Sequence, residues 1–109
     1  MTVDELFERA SRRLVRGPGV EQGRMLHAVG LRVAGGKYFA FVTGGQLVVK
    51  LPAGRVAELI ASREGIPFSA GKGRPMKEWV GLRPRDEAAC AAYLREARKF
   101  VAGESLVPG

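Results

Sequence analysis

Hydrophobic positions near the N-terminus recur at three- and four-residue steps, the spacing of one face of an α-helix. Thr2 and Glu5 form the pattern of a capping box, so the helix is predicted to begin there. Gly17 and Pro18 predict its end. The apolar positions of this helix are Leu6, Phe7, Ala10, Leu14 and Val15.

Between residues 24 and 51 the pattern changes to strands separated by glycine pairs. We predict three antiparallel strands, at 24–33, 37–42 and 46–51. The glycine pairs at 35–36 and 44–45 suit tight hairpin turns, because glycine readily adopts the positive φ angles that such turns need. The middle strand, "YFAFV", is apolar on both faces, which is typical of a central strand covered on both sides.

The second half of the chain predicts two more helices with extended segments between them. A helix should run from Pro52 to Gly65, followed by a short extended piece at 66–68. A strand over 75–82 and a helix from Pro84 to about Ala102 complete the chain. The predicted fold is α+β, an antiparallel sheet with helices on one face, in the order α-β-β-β-α-(β)-β-α.

Length and composition indicate one globular domain, which we place at residues 1–103 with a frayed tail at 104–109. A hydrophobic content of 46% and a charged content of 27% argue against a disordered chain. No apolar run approaches the roughly 20 residues of a membrane span, so no membrane partner is expected. With no signal peptide and a single cysteine, a cytoplasmic protein is the expectation.

The residues that could perform chemistry do not form a recognisable catalytic constellation. With one histidine, His27, and one cysteine, no histidine-rich metal site is expected, and no cofactor is implied. Cys90 lies on the apolar side of the last predicted helix, which predicts a buried thiol rather than a nucleophile. We therefore expect a protein that is not an enzyme.

The net charge of +7 favours acidic partners such as nucleic acid, although arginines that only supply solubility would give the same total. Segment 71–85 holds five basic residues against Glu78, a net charge of +4. Its "GKG" lacks the spacing and the following helix of a phosphate-binding loop. The predicted nucleic-acid or partner contacts are Lys72, Arg74, Lys77, Trp79 and Arg83.

Two interpretations of Trp79 remain open at this point. Strand alternation places Lys77, Trp79 and Arg83 on one face, and an exposed ring there would offer a base-stacking platform among cations. Alternatively, Trp79 packs beneath the last helix and Lys77 lays its stem along the ring. Separately, the doubly apolar "YFAFV" strand suggests a second sheet face that pairs in a homodimer.

Residues 3–103 resemble the N-terminal domain of the TfoX/Sxy family. The resemblance rests on four pieces in order: Gly30-Leu31, Phe39-Ala40, Leu47-Val48-Val49-Lys50 and Gly73-Arg74-Pro75-Met76. The family's "MFGGYGL"-type start is "MLHAVGL" here. The resemblance implies the same α+β order and a non-enzymatic regulatory or protein-interaction role. The alternative function is a nucleic-acid-binding module that uses the basic loop 71–85.

Overall fold

The computed structural model describes residues 1–25, 28–69, 73 and 75–106, with the side chains of residues 25 and 104–106 left aside. The described residues form helices α1 (Val3–Arg16), α2 (Ala53–Ala61) and α3 (Glu87–Leu106). The strands are β1 (Val20–Met25), β2 (Ala28–Val33), β3 (Tyr38–Thr43), β4 (Gln46–Lys50), β5 (Gly65–Pro67) and β6 (Trp79–Leu82). They pair antiparallel in one sheet, in the order β1-β2-β3-β4-β6-β5. The predicted α+β class and the order of helices and strands are confirmed.

The first predicted strand, 24–33, is two strands rather than one. β1 and β2 pair with each other, with Gly23 opposite Gly30 and Met25 opposite Ala28. The Tyr38 ring occupies the space that side chains would fill at both glycines, and its hydroxyl donates to the Arg24 carbonyl at 3.1 Å. β1 was missed because it is a polar edge strand, "VEQGRM", with little apolar alternation to mark it.

The core lies between one face of the sheet and the three helices, as predicted. Leu31, Ala40, Val49 and Val80 form a row across four neighbouring strands, and all four are fully buried. Cys90 of α3 is also fully buried, and this burial raises the pKa of its thiol to about 11. The prediction of a buried thiol is therefore confirmed.

The opposite face of the sheet carries a second, smaller apolar cluster. Phe41 and Val48 are cross-strand partners, and Trp79 lies beside them, all three buried. Phe68, which follows β5, packs its ring edge-on to Phe41 with the ring centroids 5.5 Å apart. The strand "YFAFV" is thus covered on both sides as predicted, but its second side is covered from within the chain. The homodimer stays a prediction, without the exposed face that motivated it.

Several element boundaries differ from those predicted. The capping box is present, with Thr2 Oγ1 accepting from the Glu5 amide at 3.2 Å. α2 ends at Ala61, and Gly65 belongs to the extended piece β5 rather than ending the helix. The strand predicted over 75–82 is reduced to Trp79–Leu82. α3 continues to Leu106, into the tail predicted to fray, and residues 107–109 lie outside the described residues.

Replacing Gly65 with alanine should destabilise the fold, because β5 meets β6 and α2 at this residue without room for a side chain. A Cβ at Gly65 would lie 2.6 Å from Val80 Cγ2 and 3.3 Å from Leu59 Cβ. We expect Gly65→Ala to lower the free energy of unfolding by about 1–3 kcal/mol in urea titrations followed by circular dichroism. The control is Gly54→Ala in α2, where a Cβ meets no atom within 4 Å. This control should gain about 0.5–1 kcal/mol from helix propensity, and equal stability of the two variants would contradict the close approach.

Candidate nucleic-acid interface

Of the predicted basic contacts, the structure describes Lys77 and Arg83, and these two do not lie together. Lys72 and Arg74 lie outside the described residues. Lys77 is exposed in the turn before β6, and Arg83 is exposed directly after β6. Because a strand advances roughly 3.3 Å per residue, the intervening strand holds these two cations at opposite ends, more than roughly 13 Å apart.

Trp79 is buried, so its ring does not form an open stacking platform. Only 9% of the residue is exposed, and its ring packs against Phe41 with the centroids 5.6 Å apart. The contact is on the sheet face opposite the helices, so the alternative of packing beneath the last helix is also wrong in its location. Trp79 is a structural residue of the small cluster, and Lys77 lies beside it at the edge of a shallow groove.

Most acidic side chains in the described part of the chain are engaged within the fold. Glu78 approaches Lys50, with Oε1 and Nζ 4.0 Å apart. Glu96 and Glu58 both bind Arg55, and the Glu96 contact, Nε to Oε2 at 2.7 Å, links α3 to α2. The other ion pairs are Glu8–Arg12, Glu87–Arg13 and Glu21–Arg32. These pairs leave a surplus of cations without an acidic partner.

Three of those surplus cations line one groove at the end of the sheet. Arg63 follows α2, while Arg83 and Arg85 lie between β6 and α3. Gly65 pairs with Leu82, so the residues flanking this pair meet at the same end of the sheet although they are far apart in sequence. We call this hollow of about 600 Å³ the arginine groove.

The remaining lining of the arginine groove combines polar, apolar and acidic groups. Gln46 and Tyr93 supply an amide and a phenol, and Ile66 supplies apolar surface. Burial, and then the charge of Glu64, raise the pKa of Tyr93, so its hydroxyl stays protonated near neutral pH. Two acids, Glu64 and Asp86, also line the groove, and Asp86 Oδ1 accepts from the Ala89 amide at 2.8 Å at the start of α3. Guanidinium groups donate in a planar fork that matches carboxylate and phosphate oxygens.

Arg63 has an unusual backbone conformation. Its φ is 65°, and it alone among the described non-glycine residues has a positive φ. The Arg63 amide donates to the Ile60 carbonyl at 3.1 Å and the Glu64 amide donates to the Leu59 carbonyl at 3.0 Å, which is the helix-ending arrangement that favours glycine. A side chain here costs about 1 kcal/mol relative to glycine.

Sequence reasoning missed Arg63 as a site residue. Gly65 was expected to end α2, and a cluster of cations was predicted only for segment 71–85. Arg85 was counted in that run but was not singled out as a contact. Both residues enter the site through strand pairing between β5 and β6, which no local pattern reports.

The described residues contain no cluster of potential metal ligands. Among them there is no group of three or more histidine, cysteine, aspartate or glutamate side chains that could hold a metal ion. His27 lies outside the described residues. Within the ranges that the structure covers, no helix has the length and apolarity needed to cross a membrane.

In comparisons with known proteins, no family model, no curated protein and no solved structure matches this chain. The resemblance to the TfoX/Sxy domain therefore remains a prediction from short sequence pieces. The function is therefore inferred from the geometry of the described residues.

The burial of Trp79 predicts that nucleic acid will not reach its ring. Because Trp79 is the only tryptophan, the protein's emission at an excitation of about 295 nm reports on this side chain. We expect blue-shifted emission, weak quenching by acrylamide, and no change on titration with a single-stranded oligonucleotide. Urea-unfolded protein supplies the fully quenched control. If the oligonucleotide quenches Trp79 emission, and this quenching saturates at the same concentration as binding, Trp79 lies at the interface and the prediction is wrong.

Proposed function

We propose that this chain is a non-enzymatic domain that binds nucleic acid through phosphate contacts from the arginine groove. The observation that carries the proposal is the convergence of Arg63, Arg83 and Arg85 on one hollow. None of the three makes an ion pair or side-chain hydrogen bond with another described residue. Their donors are therefore available to a ligand.

Nucleic acid is favoured over a small anion because the whole chain attracts polyanions. The net charge of +7 concentrates negatively charged polymers near the surface and steers them toward it. The buried Trp79 and the polar lining of the groove favour contacts to phosphates over stacked bases, so we expect little sequence preference. A free phosphate would share the same arginine chemistry, and competition with inorganic phosphate separates the two ligands.

Binding to nucleic acid should depend strongly on salt. If about three phosphates of a duplex are neutralised, log K should fall with log salt at a slope of about −2.7. Affinity should then drop about fortyfold between about 50 and 200 mM salt in fluorescence anisotropy of a labelled duplex. The double variant Arg83→Ala with Arg85→Ala should reduce the slope by about 1.8.

A matched control tests whether the site or only the total charge matters. Arg95 and Lys99 are exposed on α3 and do not line the arginine groove. Arg95→Ala with Lys99→Ala removes the same charge and should change the slope less than the groove variant does. Equal losses in the two double variants would mean that diffuse charge binds the duplex. Full competition by millimolar inorganic phosphate would identify a small-anion site instead.

Arg63→Gly should make the protein more stable and a weaker binder. Glycine relieves the positive φ, so the free energy of unfolding should rise by about 0.5–1 kcal/mol. Loss of one of three phosphate contacts should reduce the salt slope by about 0.9. Arg63→Lys is the control, since it keeps both the charge and the backbone cost. Unchanged duplex affinity in Arg63→Gly would show that the Arg63 side chain does not contact the bound duplex.

A second candidate function is the regulatory or protein-interaction role that the TfoX/Sxy resemblance implies. One observation favours it over a role confined to nucleic acid. Met76 is 40% exposed beside α2, in a hollow whose lining is almost entirely apolar. Large apolar side chains exposed in such a hollow commonly mark a protein contact.

A further inference from the structure

A second groove lies beside α2 and is distinct from the arginine groove. Its α2 side is formed by Ala53, Val56, Ala57 and Ile60, which share one helix face at three- and four-residue steps. Val56 is buried at the base, Ile60 is half-buried, and the two alanines are exposed. We call this hollow of about 440 Å³ the α2 groove.

The opposite wall comes from both sides of the β5–β6 connection. Pro67 ends β5, and Pro75, Met76 and Lys77 precede β6. These two parts are held together by the Met76 amide, which donates to the Phe68 carbonyl at 2.8 Å. The two prolines lack amide donors and have fixed φ angles, so this wall is relatively stiff. Met76 is the adaptable element, because an unbranched thioether side chain can fit differently shaped apolar partners.

We infer that the α2 groove binds a short amphipathic helix that carries acidic side chains and belongs to another protein. The apolar stripe from Ala53 to Ile60 spans roughly 10 Å, or two helical turns. That length accepts two apolar anchors one turn apart, which is how amphipathic helices dock in hydrophobic grooves. The inference supplies a partner for the second candidate function and does not depend on nucleic-acid binding.

Charge selects an acidic partner over a second copy of this chain. Lys77 is the one charged residue lining the α2 groove in the described part of the chain, and it makes no ion pair there. The nearest acid along the chain, Glu78, is directed to Lys50, while Glu58 of α2 is held by Arg55. An incoming carboxylate would therefore meet an unpaired lysine at the groove. Two copies of a chain with a net charge of +7 would repel each other at the same surface.

Selection from a peptide library tests both the shape and the charge of the partner. The probe is a phage-displayed library of random peptides of about 16 residues, long enough to form a helix on binding. Panning against the full chain should enrich peptides with a pair of apolar residues at i and i+3 or i+4, together with an excess of aspartate and glutamate. No enrichment, or enrichment of basic peptides, would overturn the inference.

Surface variants then locate the peptide. Met76→Asp places a charge at an exposed position in the groove, so it should weaken a selected peptide at least tenfold without unfolding the protein. Lys77→Glu should weaken acidic peptides and improve versions in which lysine replaces glutamate. Val15→Asp is the matched control, because Val15 is 38% exposed on α1 and does not line the groove. Equal weakening by Val15→Asp and Met76→Asp would place the peptide elsewhere and overturn the inference.

Two further readouts separate this site from the other candidates. Met76→Asp should change the affinity and salt slope for duplex DNA much less than Arg83→Ala with Arg85→Ala does, since Met76 does not line the arginine groove. If the protein does not bind DNA, the peptide inference is unaffected. If it does not bind the peptide, the DNA proposal is unaffected. Light scattering at high micromolar concentration should show a monomer. A dimer that Met76→Asp dissociates would identify a second copy as the occupant and overturn the proposed partner.

Discussion

The close contact between β5 and β6 at Gly65 is the constraint on which both candidate surfaces depend. Because Gly65 has no side chain, β5 can lie against Val80 of β6 and Leu59 of α2 at the same time. On one side of this contact, the chain leaving α2 brings Arg63 to the end of β6, next to Arg83. On the other side, Pro67 comes to form a wall of the α2 groove. A wider separation of β5 from β6 would move the walls of both grooves apart.

The two surfaces also share an electrostatic cause. Ion pairs within the described chain engage most of its acids. Many cations therefore remain unpaired at the surface. At the arginine groove the cations form a cluster, and the proposed ligand is a polyanion. At the α2 groove a single cation, Lys77, lies beside apolar surface, and the proposed ligand is an apolar helix with acidic residues. The two proposals thus differ because the surfaces around the cations differ.

Local sequence signals predicted the elements well and the site poorly, for a physical reason. Some elements are marked by a sequence pattern within a few residues, so they can be predicted. These are the capping box at Thr2, the turns at paired glycines and the apolar strand around Phe41. β1 could not, because its half of the hairpin is stabilised by the Tyr38 ring packed over Gly23 and Gly30 rather than by its own apolar pattern. Trp79 was ambiguous because the ring that it packs against, Phe41, belongs to another strand.

The three arginines of the groove are suited to holding an anion. A guanidinium remains protonated at any physiological pH, so Arg63, Arg83 and Arg85 can hold an anion but cannot exchange a proton with it. Tyr93 is also held in its protonated form, and Asp86 is already engaged with the Ala89 amide. The left-handed backbone at Arg63 gives up part of the helix-end stability that glycine would provide. Under the proposed function, this one cost in stability is offset by an added phosphate contact.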